Sequence, residues 1–596
     1  MKVNTGIWNG CAQPLILKLS TKLKDMQQFE EHMGGQMKMI RRGRNVLTAT
    51  LITSLVAVTA CSNNPESSPN PSASTAAAET QSSDTMKLLE VSTVREGDPY
   101  LKFDVGENFD NNSVYAAYEK DAGVKITNQW VAADTNQYKE KLKIAIASNE
   151  IPDLMMVDAT QLQQLIEADM IMDLTSVYDK YATPETKKFM KMDGGTQMKS
   201  ASIGGKLMAI PRTSNPYYSQ FLYVRTDWLK KLNLPEPKTM QDLMTIAEAF
   251  KTKDPGGTGR AYGLALNKDL KEDGVTGLIG FMNGYHAYLD SNSDSSHWMD
   301  DGTGKLVMGY VQPQMKEALK ALQDMFKKGL IDPEFAVKDT QKESELIFGN
   351  NIGLVYGAEW VPAHLATGAI KDGKQVQEWG VYPLPSVDNQ PAKAQIGIGV
   401  DRYYVVSKKA KNPEAVIRLL NQWIVVDNNQ TEDNKVYEFG KDRVEKKNNY
   451  WLLNPLRVGS LSNDNGEVLP KAIATKDASL AKTKDQKTRY ERAMKFVNGD
   501  TSMWWEYLIS GPKGAYSLIP DMKKNNQFEQ TKFYGAPTPT MVEKNAILEK
   551  KRDEVFFKII MNQVPVDEFD KFVADWKRLG GDQMTKEVND WYAKSK

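Results

Sequence analysis

Cysteine is nearly absent from this 596-residue chain, which contains only Cys11 and Cys61. No cysteine follows Cys61, so the long remainder can contain neither a disulfide nor a cysteine-ligated zinc site. A chain of this length can bury enough apolar surface to be stable without such cross-links. The sequence therefore predicts a body held together by its hydrophobic core, with room for two domains or two lobes.

Net charge and common enzyme motifs are also absent. The 76 basic side chains balance the 76 acidic ones, which gives no reason to expect binding to nucleic acid. The chain has no GxSxG, HExxH or phosphate-binding motif, and the later histidines, His286, His297 and His364, are isolated. We expect no catalytic residue, no cofactor and no metal. A glycosidase stays an alternative, because distances between acidic side chains cannot be read from a sequence.

Apolar runs long enough to span a membrane are missing, and the longest run, residues 46–57, is short. It follows a basic stretch at residues 38–44, which is typical of a secretory signal. The signal ends in Val58-Thr59-Ala60-Cys61, which resembles a bacterial lipobox. That resemblance implies cleavage before Cys61 and lipidation of its thiol, whereas a plain signal with a chance cysteine is the alternative. We interpret residues 37–60 as a lipoprotein signal peptide.

Residues 1–36 do not fit a signal, because a signal's charged head should lie at the amino terminus. We interpret them as a misassigned start or a cytoplasmic extension.

Residues 61–86 contain much Ser, Pro, Asn and Ala and, up to Thr85, no large apolar side chain. Such a segment cannot bury enough surface to offset its ordering entropy, so it is predicted to be a disordered tether.

From residue 87 onward the pattern alternates between strands and helices. Residues 87–93 read as a strand, Tyr138, Leu142, Ala145 and Ile146 repeat at helical spacing, and residues 151–157 form an almost entirely apolar run. Helices that flank short buried strands indicate a sheet covered on both faces. The predicted fold class is α/β.

Five segments in this part of the chain resemble successive landmarks of the family 1 extracellular solute-binding proteins, the receptors of ABC importers that include maltose-binding-protein-like members. The long lipoproteins of Gram-positive bacteria are the most similar subgroup, and the likeness covers about residues 87–596. The segments are 149–158, 204–211, 223–239, 348–360 and 405–415.

The resemblance implies a two-lobed periplasmic-binding-protein type II fold with a ligand cleft between the lobes. The N-terminal lobe would contain about residues 87–205 and part of 395–500, and the C-terminal lobe about 210–390 and part of 500–596. The implied protein is a monomer, lipid-anchored at the extracellular face of the cell membrane, that captures a carbohydrate, in particular an oligosaccharide, and delivers it to an ABC transporter permease. A receptor for peptides or another solute, and a secreted glycan-degrading enzyme, are alternatives.

A sugar presents apolar C–H faces and a rim of hydroxyls, so its receptor needs aromatic side chains to stack on and polar ones to hydrogen-bond. Trp360 follows a predicted strand and matches the family position whose tryptophan stacks on the ligand; a tryptophan that fills the core is the alternative. Loop positions after other predicted strands are further candidates, although they can also be ordinary surface loops. These candidates are Arg212, Asn215, Tyr217, Tyr218, Glu107 and Asn108.

Two pairs of adjacent aromatic residues complete the prediction, Tyr403-Tyr404 and Trp504-Trp505. On a strand, one member of each pair would face the core and the other the cleft or solvent. The sequence does not decide between them, and we take Tyr403 and Trp504 as the candidate ligand contacts.

Relatives often carry an acidic calcium loop at the position of residues 253–263. Here Gly256, Thr258 and Arg260 replace oxygen ligands that such a site needs, so calcium is not expected. The cluster at residues 290–294 offers oxygens but reads more readily as a hydrated loop.

Overall fold

The computed structural model describes residues 87–595 except 99–100, 293–295, 429–432, 442–447 and 460–463. The predicted signal peptide, Cys61 and the tether lie outside the described residues. Within them, no helix has the length and apolar character needed to cross a membrane. The described residues form two hydrophobic cores, which define the two lobes.

The core of the N-terminal lobe is built from residues 89–210 and 403–458. Its helices and strands are β1 (Leu89–Glu96), α1 (Ser113–Ala122), β2 (Val124–Ala132), α2 (Thr135–Ser148), β3 (Leu154–Val157), α3 (Ala159–Glu167), α4 (Thr175–Tyr181), α5 (Pro184–Phe189), α6 (Thr196–Ser200), β4 (Ser202–Ile203), β5 (Lys206–Leu207) and β6 (Ile210–Thr213).

The core of the C-terminal lobe is built from residues 221–394 and 469–588. Its first part contains β7 (Gln220–Arg225), α7 (Thr226–Leu232), α8 (Met240–Lys253), α9 (Ile279–Gly284), β8 (Trp298–Asp300), β9 (Leu306–Met308), α10 (Pro313–Lys327), α11 (Thr340–Phe348), β10 (Leu354–Ala358), α12 (Val361–Ala369), β11 (Ile370–Lys371), β12 (Lys374–Gln375), β13 (Trp379–Tyr382) and β14 (Ala394–Ile396).

The chain then returns to the N-terminal lobe and crosses back once more. The return adds β15 (Val400–Val406), α13 (Pro413–Asn428), α14 (Val436–Phe439) and a 3-10 turn, Tyr450–Leu453. The last part, in the C-terminal lobe, contains α15 (Asn465–Thr475), α16 (Lys484–Val497), α17 (Trp504–Ser510), α18 (Ala515–Lys524), β16 (Phe528–Gln530), α19 (Pro539–Ile560), α20 (Glu568–Trp576) and α21 (Asp582–Ser595).

Local sequence explains where several of these elements begin and end. The side chain of Asp158 accepts a hydrogen bond from the Gln161 amide and that of Gln161 accepts one from the Asp158 amide, a capping box that starts α3. Asn149 takes a left-handed conformation with φ 56° and ends α2. The helical spacing seen in residues 138–146 therefore belongs to α2, as the sequence predicted.

Each lobe has a three-stranded sheet at its centre. In the N-terminal lobe β15 lies between β3 and β6 and is antiparallel to both. In the C-terminal lobe β7 lies between β10 and β13, again antiparallel, and every residue of β7 is buried. Parallel pairs also occur, between β1 and β2 and between β14 and β16. Helices and strands thus form the two-lobed α/β fold, while the lobe boundaries expected from the sequence stay a prediction.

Among the described residues, two stretches of chain, 214–219 and 397–399, connect the two cores, and Gly459 lies beside them at the end of the N-terminal lobe's second section. We call the two connecting stretches the crossing segments. The Ser214 amide donates to the Gly399 carbonyl at 2.8 Å, and the Gly459 amide donates to the Thr213 carbonyl at 2.8 Å. Gly399 has φ 76°, and a Cβ there would lie 2.7 Å from the Ser214 oxygen, so only glycine allows this close crossing. The hydrogen bonds hold the connections side by side where the lobes meet.

Candidate ligand-binding site

A cavity with a volume of about 520 Å³ lies at the crossing segments. It is open to solvent, and its volume falls within the range of roughly 300–1,000 Å³ typical of small-molecule sites. Strands β6 and β15, helix α13 and the turn Tyr450–Leu453 supply its N-terminal wall, while Asn292 belongs to the C-terminal lobe. Its lining comprises Arg212, Thr213, Ser214, Asn215, Pro216, Tyr218, Asn292, Gly397, Gly399, Val400, Asp401, Trp423, Trp451, Arg457, Val458 and Gly459.

Two smaller cavities share residues with this one. A cavity of about 210 Å³ also contacts Arg212 and Arg457 and extends into the N-terminal lobe, where Tyr404 lines it. A cavity of about 20 Å³ shares Tyr218 and reaches toward the C-terminal lobe. The three spaces therefore share walls on both sides of the crossing segments.

Arg212, on β6, forms an ion pair with Asp401 on β15. Its Nε donates to Asp401 Oδ1 at 2.8 Å, and its Nη2 donates to the second carboxylate oxygen. Burial opposes the charge on Arg212, but the hydrogen bonds to Asp401 outweigh it and raise the pKa of the guanidinium. Each group thus satisfies the other, and the pair forms a fixed polar edge of the cavity.

Arg457 stands in a different environment. Its guanidinium lies 4.6 Å from the centre of the Trp451 ring, and within the described part of the chain it has no carboxylate at ion-pair distance. Burial, and then the charges of Arg95 and Arg212, lower its pKa. Tyr404 fixes the backbone here, since its hydroxyl donates to the Arg457 carbonyl at 3.1 Å and accepts from the Arg457 amide at 3.0 Å.

Aromatic surface flanks these charges. The Trp451 side chain is 44 % exposed although it is large and apolar. Trp423 is half-buried, and its Nε1 donates to the Val458 carbonyl at 2.6 Å, which fixes the indole at the cavity wall. An indole face held open to a cavity can stack on the apolar face of a ligand.

Trp360 lies at the start of α12 and is 40 % exposed. Its Nε1 donates to the Tyr218 hydroxyl at 3.1 Å, which joins it to a residue of the cavity wall. The indole covers Gly274, where an added Cβ would lie 2.9 Å from the ring, so glycine is required beneath it. Burial raises the pKa of the Tyr218 hydroxyl, which therefore stays protonated.

Acidic side chains accompany this pair of aromatic residues. Burial raises the pKa of Glu359, next to Trp360 in the chain, to about 7, and among the described residues its Oε2 has no hydrogen-bond partner. Burial also raises the pKa of Glu272, whose Oε1 accepts a hydrogen bond from the Gly274 amide at 2.6 Å. Both carboxyl groups therefore stay protonated to a higher pH than the carboxyl group of an exposed glutamate does.

The structure brings some of the predicted site residues together. Arg212, Asn215 and Tyr218 line the cavity of about 520 Å³, and Trp360 contacts Tyr218. Tyr217 lies outside the described cavity walls: its ring packs against Phe528 at 5.2 Å.

The other predicted loop residues take part in local structure. The Glu107 carboxylate accepts hydrogen bonds from the Ser113 amide at 3.1 Å and from the Tyr450 hydroxyl. Asn108 Oδ1 accepts from the amides of Asp110 and Asn111, each at 2.9 Å. These contacts shape a surface loop, and neither Glu107 nor Asn108 belongs to the described cavity walls.

Tyr403 and Trp504, the residues predicted from the two aromatic pairs, both point into the core of a lobe. Tyr403 is 6 % exposed and its hydroxyl donates to Ser200 Oγ at 3.2 Å, whereas its neighbour Tyr404 lines the second cavity. Trp504 begins α17 and is 5 % exposed in the core of the C-terminal lobe. Alternation along β15 turns Tyr403 away from the cavity that Tyr404 lines. The structure thus places Tyr404, and neither Tyr403 nor Trp504, at a cavity wall.

Sequence reasoning missed several wall residues: Asn292, Asp401, Trp423, Trp451 and Arg457. Trp451 follows a polar, irregular stretch, so no periodic pattern marks it. Asp401 lies two residues before Tyr403, and the charge change from Asp401 to Arg402 near the start of β15 was the available signal.

Described residues of the two candidate calcium loops are engaged in contacts within the protein. Asp254 Oδ2 accepts a hydrogen bond from the Gly259 amide at 2.6 Å, so the loop closes on itself. Asp290 is buried and pairs with Arg552. Across the residues that the structure describes, no group of three or more His, Cys, Asp or Glu side chains is placed to hold a metal.

Comparisons with known proteins agree with this geometry. Residues 107–424, more than half of the chain, match the family described as bacterial extracellular solute-binding protein. Lipoprotein LipO of Bacillus subtilis (strain 168) is 22% identical over 503 residues, which cover 82% of this chain and 90% of that protein. The polygalacturonan/rhamnogalacturonan-binding protein YtcQ of the same organism is 22% identical over 506 residues, covering 80% and 87%.

Solved structures show the same fold. The alginate-binding protein AlgQ2 without calcium ion superposes with a TM-score of 0.57 at 17% identity, covering 85% of this chain and 99% of that one. The Streptococcus pneumoniae substrate-binding protein FusA, an EF-hand mutant in complex with fructo-nystose, superposes with a TM-score of 0.55 at 15% identity, covering 85% and 99%. The chain belongs to the bacterial extracellular solute-binding protein family and has its two-lobed type II fold.

Proposed function

We propose that this protein is a lipid-anchored extracellular receptor that captures an oligosaccharide between its lobes and delivers it to an ABC transporter permease. The main observation in support is the open cavity of about 520 Å³ at the crossing segments, where exposed aromatic faces lie beside hydrogen-bonding groups. Relatives support the ligand class, since FusA of Streptococcus pneumoniae is named as a fructooligosaccharide ABC transporter substrate-binding protein.

The wall chemistry suits a sugar. Trp451 and Trp360 offer large apolar faces, and sugar rings present C–H faces of matching character. Arg212, Asn215 and Tyr218 supply donors and acceptors for hydroxyl groups around a ring. We assign ligand contact to these five side chains, together with Trp423 and Arg457.

Ligand capture would work by closure of the lobes about the crossing segments. The predicted N-terminal lobe (87–205 and part of 395–500) and C-terminal lobe (210–390 and part of 500–596) would each contact the ligand. A ligand that touches both lobes favours the closed state by its differential affinity for that state. The permease would then recognise the closed receptor.

The anchor follows from the sequence. Cleavage before Cys61 and lipidation of its thiol would hold the protein at the extracellular face of the membrane, since two or more acyl chains anchor firmly. The relative LipO is itself named a lipoprotein. The tether at residues 61–86 would separate the body, acting as a monomer, from the lipid surface.

Catalysis is not part of the proposal. Among the described residues, the wall of the 520 Å³ cavity has one carboxylate, Asp401, and Arg212 neutralises it. A typical glycosidase needs two carboxyl groups on either side of the scissile bond, one of them able to donate a proton. The site is therefore suited to binding a glycan and unsuited to cleaving it by that mechanism.

A thermal-shift and calorimetric screen of residues 84–596 against mono- and oligosaccharides tests the proposal. A ligand present at 100 times its dissociation constant should stabilise the native state by about 2.7 kcal/mol. Chromatography of the recovered ligand should show it intact. If no carbohydrate shifts the transition while a peptide library does, or if the glycan is cleaved, the proposed function is wrong.

A further inference from the structure

Three arginine side chains meet at the walls of the two larger cavities: Arg95, Arg212 and Arg457. They are close enough that the charges of Arg95 and Arg212 both disfavour the charged form of Arg457. Like charges gathered in a partly buried site repel each other, and such a cluster is stable only when negative groups compensate it.

The protein supplies compensation for only part of this cluster. The Asp401 carboxylate binds two nitrogens of Arg212 and is thereby fully engaged. Arg95 is buried and donates to the Leu452 carbonyl. Glu96 and Asp98 line the smaller cavity together with the three arginines, and the charge of Glu96 favours the charged form of Arg212, but neither acid lines the larger cavity. Arg457 alone faces both cavities without a carboxylate at ion-pair distance among the described residues.

The surroundings of Arg457 define what could pair with it. Its planar guanidinium stacks against the Trp451 ring at 4.6 Å, and this indole is 44 % exposed. A guanidinium fork matches a carboxylate in a two-point hydrogen-bonded geometry. An indole beside it offers a face for an apolar ring. A ligand that presents a carboxylate on a ring with an apolar face would satisfy both groups at once.

We propose that the oligosaccharide bound in this cleft is acidic, with the carboxylate of a uronic acid residue on the Arg457 guanidinium and the sugar ring beside Trp451. The inference rests on the proposed carbohydrate function and narrows its ligand class. A neutral sugar would displace water from the Arg457 guanidinium without supplying an anion in its place. Burying a charge without a charged partner costs free energy. An acidic sugar would supply a negatively charged partner for Arg457.

Calorimetry with matched ligands tests this directly. The full chain, purified in detergent, is titrated with oligogalacturonides and with oligomers of mannuronate and guluronate, each beside its carboxyl-reduced neutral counterpart of the same linkage. We expect at least one acidic oligomer to bind tenfold or more tightly than its reduced form. Its dissociation constant should rise with added salt, as expected for an ion pair.

Variants assign the effect to Arg457. Arg457→Gln should reduce the ratio between acidic and reduced ligand to near one, and Arg457→Lys should retain part of it because the charge remains. Arg578→Gln makes the same change in net charge on an exposed helix position paired with Asp575, and it should leave the ratio unchanged.

The outcomes separate this inference from the function on which it rests. If neutral oligosaccharides bind as tightly as acidic ones, or more tightly, the acidic-ligand inference is wrong while the carbohydrate receptor stands. If neither set binds, both are contradicted. An acidic preference that persists in Arg457→Gln overturns the assignment to this side chain.

Discussion

On the N-terminal side of the cavity the ligand would meet Arg212 and Arg457, with the exposed face of Trp451 between solvent and guanidinium. On the other side it would meet Tyr218 and Trp360. The first side is cationic, and the second pairs aromatic surface with Glu272 and Glu359, whose pKa values burial raises.

This difference indicates how a ligand could be oriented. A charged group is attracted to the arginine side and gains nothing on the side where Glu272 and Glu359 lie. Hydroxyl groups of a ligand can bind either side, since tyrosine, carboxyl and guanidinium groups all form hydrogen bonds. Closure would thus bring an anion-binding surface and a hydroxyl-binding surface together on one molecule.

Removing the aromatic surface from the arginine side should have the largest effect. Trp451→Ala deletes the indole and frees the Arg457 guanidinium to move, so we expect the dissociation constant of the ligand to rise about 30-fold, or about 2 kcal/mol. Calorimetry measures it. Trp130→Ala is the matched control, because Trp130 also lies under a cation, Lys141 at 5.4 Å, but outside the described cavity walls. Equal losses in both variants would contradict the assignment.

Removing the tryptophan on the other side of the cavity, Trp360, should weaken ligand binding less. Trp360→Ala removes an indole that contacts the cavity through Tyr218, and we expect about a tenfold weaker affinity, or about 1.4 kcal/mol. Tyr218→Phe, which removes the hydroxyl that accepts from Trp360, should weaken binding less, by about 0.5–1.5 kcal/mol. The control is Trp505→Ala, a half-buried tryptophan on α17. Unchanged affinity in Trp360→Ala would show that the ligand contacts the arginine side alone.

The two sides also differ in how well the sequence predicted them. Trp360 was predictable because it follows a buried strand, β10, in a segment that resembles the family. Arg212 and Tyr218 were found for the same reason, since they follow or end strands whose apolar residues are easily read. The α/β class likewise follows from alternating helices and buried strands, whereas the two-lobed architecture was implied by the family resemblance.

Trp451 and Arg457 could not be found in this way. They lie in and after a short 3-10 turn that follows a polar stretch of sequence, residues 441–449, with no periodic pattern, and tertiary contacts alone bring them to the cavity. Tyr403 and Tyr404 show a different limit. Adjacent aromatic residues on a strand face opposite ways, and only the pairing of β15 with β3 and β6 decides which faces the cavity.

Glu359 permits a test through pH. Folding raises the pKa of this carboxyl from its ordinary 4.5 to about 7, so the folded protein holds a proton that the unfolded chain releases. Stability therefore falls as pH rises from about 4.5 through 7, where the unfolded state binds fewer protons. Glu359→Gln should remove this contribution and be more stable than the wild type at pH 8 by about 1 kcal/mol, less than the full shift because part of the side chain meets water.

Denaturant unfolding at pH 5 and pH 8 measures that difference. Glu343, whose pKa burial raises to about 8, keeps its own pH dependence in both proteins, so the comparison of the variant with the wild type isolates Glu359. A stability difference that is the same at the two pH values would contradict the proposed titration.

Removal of divalent cations should have the smallest effect on either side. The loop after α8 closes through Asp254, which accepts hydrogen bonds from the Gly259 amide at 2.6 Å, and Arg260 occupies a position where a calcium loop needs oxygen. We expect EDTA to leave both the unfolding temperature and the ligand affinity unchanged within error, as measured by thermal unfolding and calorimetry. Asp254→Asn retains an acceptor for the amide and should behave like the wild type with and without chelator. A drop in unfolding temperature with EDTA that added calcium reverses, and that Asp254→Asn abolishes, would show instead that the C-terminal lobe depends on a bound cation.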